Sequence, residues 1–199
     1  MRSVRNSLML FLSIAALAAG DDVPFRPKPA DSYPNHQTIS GLTIAAEVYT
    51  TRQQTESAFG KLDPNQYGVL PVLVVMRNGA GEVLNLEKLR VEYIRPDRRH
   101  LPNIPPSEVK YLNAPSRPKM GPSMPNPIPG LGKKGKKNPL AAFEIESRAF
   151  AARMLTPEDS ASGFFYFQTA NHRGAILYLT GITKAASGAE LFFFEIPLD

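Results

Sequence analysis

The sequence predicts a mainly β protein, an antiparallel β-sandwich with one packed α-helix and a long Pro-rich basic insert. Three observations carry this expectation. Leu42, Ile44, Ala46 and Val48 alternate at period two, the pattern of a strand with one buried face. Val69 to Met76 is a near-continuous apolar run of strand length, rich in β-branched residues, as a strand buried on both faces or central in a sandwich requires. From Gly163 onward, three short apolar segments are separated by turn residues, which argues an antiparallel meander.

The elements follow in order. Residues 1–20 read as a secretory signal peptide: Arg2 and Arg5 precede the apolar run Leu8 to Leu17, and small residues near 18–20 offer a cleavage site. Export to the periplasm or beyond is therefore expected. The run is too short for a spanning helix, which needs about 20 apolar residues. Residues 21–38, with Pro24, Pro27, Pro29 and Pro34, read as an extended, poorly ordered arm. Residues 39–199 are then expected to form a single domain.

Within that domain, Ile39 to Tyr49 is the first strand. Thr50 to Phe59 loses the alternation, carries Ser/Thr caps and is followed by Gly60, so a short helix is expected there. The apolar strand Val69 to Asn78 comes next, with Pro71 near its start, where its missing N–H does least harm. Asn78-Gly79-Ala80-Gly81 supplies a tight turn, and residues 84–94 supply one or two more strands. Residues 96–138 change character: 11 of the 19 prolines lie between Pro96 and Pro139, and the segment ends in Gly and Lys. It reads as a flexible insert with no core element. Asn138 and Pro139 are a helix-start signal, and residues 139–155 read as the one long helix. Strands are then expected over Gly163–Thr169, Ile176–Ile182 and Glu190–Ile196.

Two stretches carry a family likeness. Gly68 to Asn78, followed by its Gly turn, resembles the "P-V then N" strand of exported bacterial immunoglobulin-like domains. Met154 to Phe167 is similar to the "L-x-P-G-x-x-x-x-G-x-x-x-F" strand entry of those domains, with Glu158 at the position where that pattern carries Gly. The resemblance covers about half of the chain beyond the signal. It implies a sandwich with a binding or scaffolding role and brings no catalytic residues with it.

Chemistry is sparse in the sequence. There is no Cys, which excludes disulfides, thiolate metal sites and the lipid attachment of a lipoprotein. His36, His100 and His172 all fall in expected loops without a partner at ligand spacing, so neither a metal site nor a cofactor is expected. No G-x-S-x-G motif occurs, and the Gly130-x-Gly132-Lys133 stretch lacks the Ser/Thr and the preceding strand of a phosphate loop.

Charge is more informative. From Arg95 to Lys137 there are ten basic residues against Asp97 and Glu108, a net of +8 in a chain whose formal net charge is +5. Arg98, Arg99, Arg117, Lys119, Lys133, Lys134, Lys136 and Lys137 are the expected contacts to an anion or partner. The aromatic runs Phe164–Phe167 and Phe192–Phe194 must send alternate rings to opposite faces, which leaves a possible apolar patch. The function expected is a non-enzymatic binding or accessory domain of the bacterial envelope, its partner an envelope protein or an anionic polymer. The alternatives are polyanion binding through the insert, or a hydrolase of envelope polymers whose residues come from scattered loops. A pocket gathering His100 or His172 with a carboxylate would favour the hydrolase. No specific nucleic-acid motif is present.

Overall fold

The computed structural model describes residues 25–112 and 138–199. The signal segment and most of the Gly/Lys-rich insert lie outside the described residues. Among the described residues, eleven strands and three α-helices follow in chain order: β1 (His36–Ile39), β2 (Leu42–Val48), α1 (Arg52–Phe59), β3 (Leu70–Asn78), β4 (Leu84–Asn85), β5 (Arg90–Ile94), β6 (His100–Pro102), α2 (Pro106–Val109), α3 (Phe143–Ser147), β7 (Met154–Leu155), β8 (Ser160–Phe167), β9 (Ile176–Thr180), β10 (Thr183–Lys184) and β11 (Phe194–Pro197). They form three antiparallel sheets, ordered β1-β2-β3-β8, β10-β4-β7 and β11-β9-β5-β6. The protein is mainly β.

The apolar run of β3 is explained by its place. It sits between β2 and β8 and separates two cores. Leu70, Val72, Val74 and Met76 enter one core with Val91 and Tyr93 of β5, Leu177 and Leu179 of β9, and Phe194 and Ile196 of β11. Leu73 and Val75 point the other way, into a second core built from Ala30, Tyr33, Tyr49, Phe59, Val109, Leu140 and Ile145. A strand that is apolar on both sides is thus buried on both sides. Pro71 is its second residue, and Pro71 O accepts from Tyr49 N at 3.0 Å. The aromatic run of β8 is shared in the same way. Phe164 and Tyr166 enter the second core, Phe167 the first, and Phe165 stacks on Phe150 with centroids 5.2 Å apart.

Helix α1 forms where expected. Thr51 and Gln54 make a capping box, and Gly60 ends the helix at φ 63°. Three expectations need correction. The helix over 139–155 does not form as one element: a 3-10 turn at Pro139–Ala141 is followed by the five-residue α3. Ala142 between them is extended, and Phe143 and Met154 are exposed. After α3 the chain runs along β8, where Phe164 N donates to Arg148 O at 2.9 Å and Phe150 N donates to Phe164 O at 3.1 Å. The open edge of β8 needs those backbone partners, and that demand overrides local helix propensity. The arm 21–38 is not loose over its described part: Ala30 and Tyr33 are buried, and β1 pairs with β2. The flexible insert does not start at Pro96, since β6 pairs with β5 and Val109 of α2 is buried. The prolines here are placed where they do least harm, Pro102 on an edge strand and Pro106 in the first turn of α2.

Two residues of the quoted motifs acquire physical reasons. Asn78 is fully buried, and its side chain closes the turn after β3: Nδ2 donates to Glu82 O at 2.9 Å and to Leu155 O at 3.0 Å, while Oδ1 accepts from Ala80 N at 3.0 Å. Glu158 sits at φ 61°, left-handed backbone that suits Gly. Its carboxylate meets Arg77 at 3.3 Å with both side chains well exposed, a pair of small value. Glu158→Gly is therefore expected to raise stability by about 0.5 kcal/mol, read as a higher urea midpoint.

Four tyrosines contribute a pH dependence. Tyr33, Tyr49, Tyr93 and Tyr166 are each held above the ordinary phenol value of 10.0, with burial the first cause in every case. Burial favours the neutral form in the folded state. Their contribution is intact below the ordinary value and is lost as pH rises past it, because the unfolded chain then ionises first. Each such phenol removes up to about 1.4 kcal/mol per pH unit in that window. Urea midpoints should fall steeply above about pH 10, with phenolate absorbance appearing together with unfolding.

Candidate binding face

The sheet β11-β9-β5-β6 has one face in the first core, so period-two geometry sends the alternate residues outward. Val91, Tyr93, Leu177, Leu179, Phe194 and Ile196 are buried; Glu92, Tyr178 and Glu195 lie between them on the other side. Register aligns Glu92 with Tyr178, and Tyr178 with Glu195. An aromatic ring is thereby flanked on both neighbouring strands by a carboxylate. Ile94, Ile176 and Pro197 form the adjacent row.

Two further side chains join this row. His100 on β6 holds Glu92: its Nδ1 lies 2.7 Å from Glu92 Oε2, and a carboxylate can only accept, so Nδ1–H donates. The His100 ring meets Tyr178 edge-on at 6.4 Å, and Tyr178 meets Phe193 at 5.6 Å. Phe193 is 50% exposed and its neighbour Phe192 75% exposed, while Phe194 is fully buried. A half-exposed Phe ring packed on a partly exposed Tyr is an apolar patch that water penalises.

The expected contacts are divided by the structure. Arg98 and Arg99 lie in the tight turn joining β5 to β6, at the edge of this same sheet. Arg98 N donates to Arg95 O at 2.8 Å, and Arg98 takes φ 62°. Asp97 partly neutralises the turn, at 3.4 Å from Arg99 Nε and 3.7 Å from Arg95 Nη2. Arg98 makes no ion pair among the described residues. Arg117, Lys119, Lys133, Lys134, Lys136 and Lys137 lie outside the described residues.

The His100–Glu92 pair was missed by spacing rules. The two residues are eight apart and meet only because β5 and β6 form a hairpin; the signal was the short run His100-Leu101-Pro102 just after the Asp97 turn. Both side chains of the pair are well exposed, and no hydroxyl is hydrogen-bonded to His100 among the described residues. His36 is held by Tyr33 O at 2.6 Å, and His172 N donates to Tyr93 OH at 2.8 Å. Among the described residues no group of three or more His, Cys, Asp or Glu could hold a metal ion. A cleft of about 520 Å³ lies between the N-terminal arm and α1, lined by Phe25, Lys28, Tyr33, Glu47, Tyr49 and Ser57 among others, and it contains no histidine.

What these features define is a mainly β protein whose C-terminal sheet has an open aromatic and acidic face. No protein-family model matches the chain, and no curated protein matches it. Among solved structures, the crystal structure of the YjhA protein from Bacillus subtilis is similar over 84% of this chain and 98% of that one, at 7% identity and a TM-score of 0.41. Among the described residues no helix is long and apolar enough to cross a membrane.

Proposed function

We propose that this chain is an exported, non-enzymatic binding domain of the bacterial envelope with an immunoglobulin-like sandwich, and that it docks a partner on the outer face of β11-β9-β5-β6. The observation that carries the reading is Phe193, 50% exposed and packed on Tyr178, on a sheet whose inward residues Val91, Tyr93, Leu177, Leu179, Phe194 and Ile196 are buried, with Phe192 exposed next to it in sequence. Exposed aromatics next to polar, hydrogen-bonding neighbours are the usual anchors of a protein interface.

Strand order supports the sandwich. The run β2-β3-β8 against β11-β9-β5-β6 follows the A-B-E and G-F-C-C′ order of variable-type immunoglobulin domains, with a shared core between the sheets. The charged and apolar pattern of residues 1–20 supports export, and the absence of Cys leaves a partner, not a lipid, to hold the domain in place.

A photo-crosslinking phenylalanine at position 193 tests the reading, with the still more exposed Phe143 as control. Capture of a specific envelope protein from position 193 and not from 143 is the expected result. Equal capture from both, or none from 193, would remove this face as the docking surface.

A further inference from the structure

The cleft between the N-terminal arm and α1 gathers polar groups that the fold leaves unused. Phe25 and Tyr33 of the arm line it together with Glu47 of β2 and Tyr49, which follows β2. The backbone of Tyr49 is held on both sides: its N donates to Pro71 O at 3.0 Å, and its O accepts from Asn65 Nδ2 at 2.8 Å. The residue is 7% exposed, yet its hydroxyl has no hydrogen-bond partner among the described residues. A buried hydroxyl in that state costs free energy and calls for an explanation. Tyr33 O accepts from Lys28 N at 3.0 Å, and the phenol proton of Tyr33 has no acceptor among the described residues. Glu47 Oε1 accepts from Gln54 Nε2 at 3.2 Å, which leaves Oε2 without a hydrogen bond among the described residues. Burial is the first cause that raises both phenols, and the Glu47 carboxylate raises them further, so the three groups lie within electrostatic reach of one another.

Phe25 fixes the arm against the body. Its ring meets Tyr49 edge-on at 6.0 Å, and the Arg148 guanidinium lies over it at 5.3 Å while Nη1 donates to Ser57 O at 3.3 Å. The cleft is therefore formed without a ligand, and its volume of about 520 Å³ falls within the range of small-ligand sites, about 300–1,000 Å³. Its groups select a chemistry. Two phenol protons and a free carboxylate oxygen match a molecule with several hydroxyls, because each ligand hydroxyl both donates and accepts. The aromatic walls match the C–H face of a sugar ring. A purely apolar ligand would leave Tyr33, Glu47 and Tyr49 buried without partners. A cation is disfavoured, because Arg26 and Lys28 also line the cleft. Both are exposed, and neither makes an ion pair among the described residues. Two cations against one carboxylate attract an acidic group instead.

We propose that this cleft binds an acidic saccharide, with Glu47, Tyr33 and Tyr49 on its ring hydroxyls and Arg26 and Lys28 on its carboxylate. The site is separate from the aromatic sheet face. Tyr33 and Tyr49 belong to the second core, whereas Tyr178 stands on β9 of the other sheet.

Isothermal titration of the mature full chain with three probes tests this: a galacturonic acid tetrasaccharide, cellotetraose and tetraglutamate. The acidic saccharide should bind with a dissociation constant below about 1 mM, and about tenfold or more tighter than either other probe. Tyr49→Phe keeps the ring and removes only the hydroxyl. It should weaken that binding about five- to tenfold, while its urea midpoint stays at or above the wild-type value because the hydroxyl has no partner to lose. Arg26→Ala combined with Lys28→Ala keeps the Lys28 N–H bond to Tyr33 and should bring the acidic saccharide down to the level of cellotetraose. Absence of saccharide binding overturns the proposal, as does cellotetraose or tetraglutamate binding as tightly as the acidic saccharide. Full affinity in Tyr49→Phe overturns it as well. So does a lowered urea midpoint in that variant, since the hydroxyl would then serve the fold.

Discussion

Gly163→Ala is expected to cost about 3–5 kcal/mol, a large part of the stability of an ordinary domain. A methyl group at this position would sit 2.4 Å from Phe150 Cα, 2.5 Å from Phe150 N and 2.7 Å from Ala149 C. All three are backbone atoms, so no side-chain rotation can make room. The segment 148–150 would have to move off β8, which breaks the bonds that Arg148 O and Phe150 N make with Phe164. Each lost bond adds about 1 kcal/mol, and Phe164 is itself buried against Phe59, 4.8 Å between centroids. Gly81→Ala is the matched control, since nothing lies within 4 Å of its added methyl, and it should change stability by less than about 0.5 kcal/mol. Urea midpoints of the two variants check both statements.

Asn78→Ala is expected to cost about 2–4 kcal/mol. The backbone bonds of Asn78, to Asp159 O at 2.9 Å and from Glu158 N at 2.7 Å, survive the substitution. What is lost is the side chain that joins three separate backbone groups, Glu82 O, Leu155 O and Ala80 N. Leu155 is buried, so its carbonyl is left without this partner in a place water reaches poorly. Asn78→Asp keeps the acceptor for Ala80 but removes both donors and places a charge in the core, so it should be at least as damaging. Faster hydrogen exchange at the Ala80 amide would accompany the loss and separates this cause from a general loosening.

Where the chemistry is local, the sequence was readable. The double burial of β3 was visible in its unbroken apolar run, and α1 in the lost alternation after Tyr49, its Ser/Thr cap candidates and Gly60. What failed was non-local. Leu140, Phe143, Phe150 and Met154 near helical spacing did not reveal that residues 148–150 would be claimed by the free edge of β8. Pro96, Pro102 and Pro106 argued for an unstructured insert, although an edge strand and a first helical turn tolerate proline well. The binding face was half legible: period two required one of Phe193 and Phe194 to face away from the core. Which of them, and that Tyr178, Glu92 and His100 would gather beside it, depends on strand register across three different strands.

The central claim is that Phe192 and Phe193 serve a partner and not the core. The direct measurement compares the wild type with the double variant Phe192→Ser/Phe193→Ser for partition between the soluble and envelope-bound fractions, alongside thermal unfolding of each. The double variant should unfold within about 1–2 kcal/mol of the wild type, because Phe192 is mostly exposed and Phe193 gives up only a half-buried ring and its contact with Tyr178, and should leave the envelope-bound fraction. Equal partition of the two proteins would contradict the account.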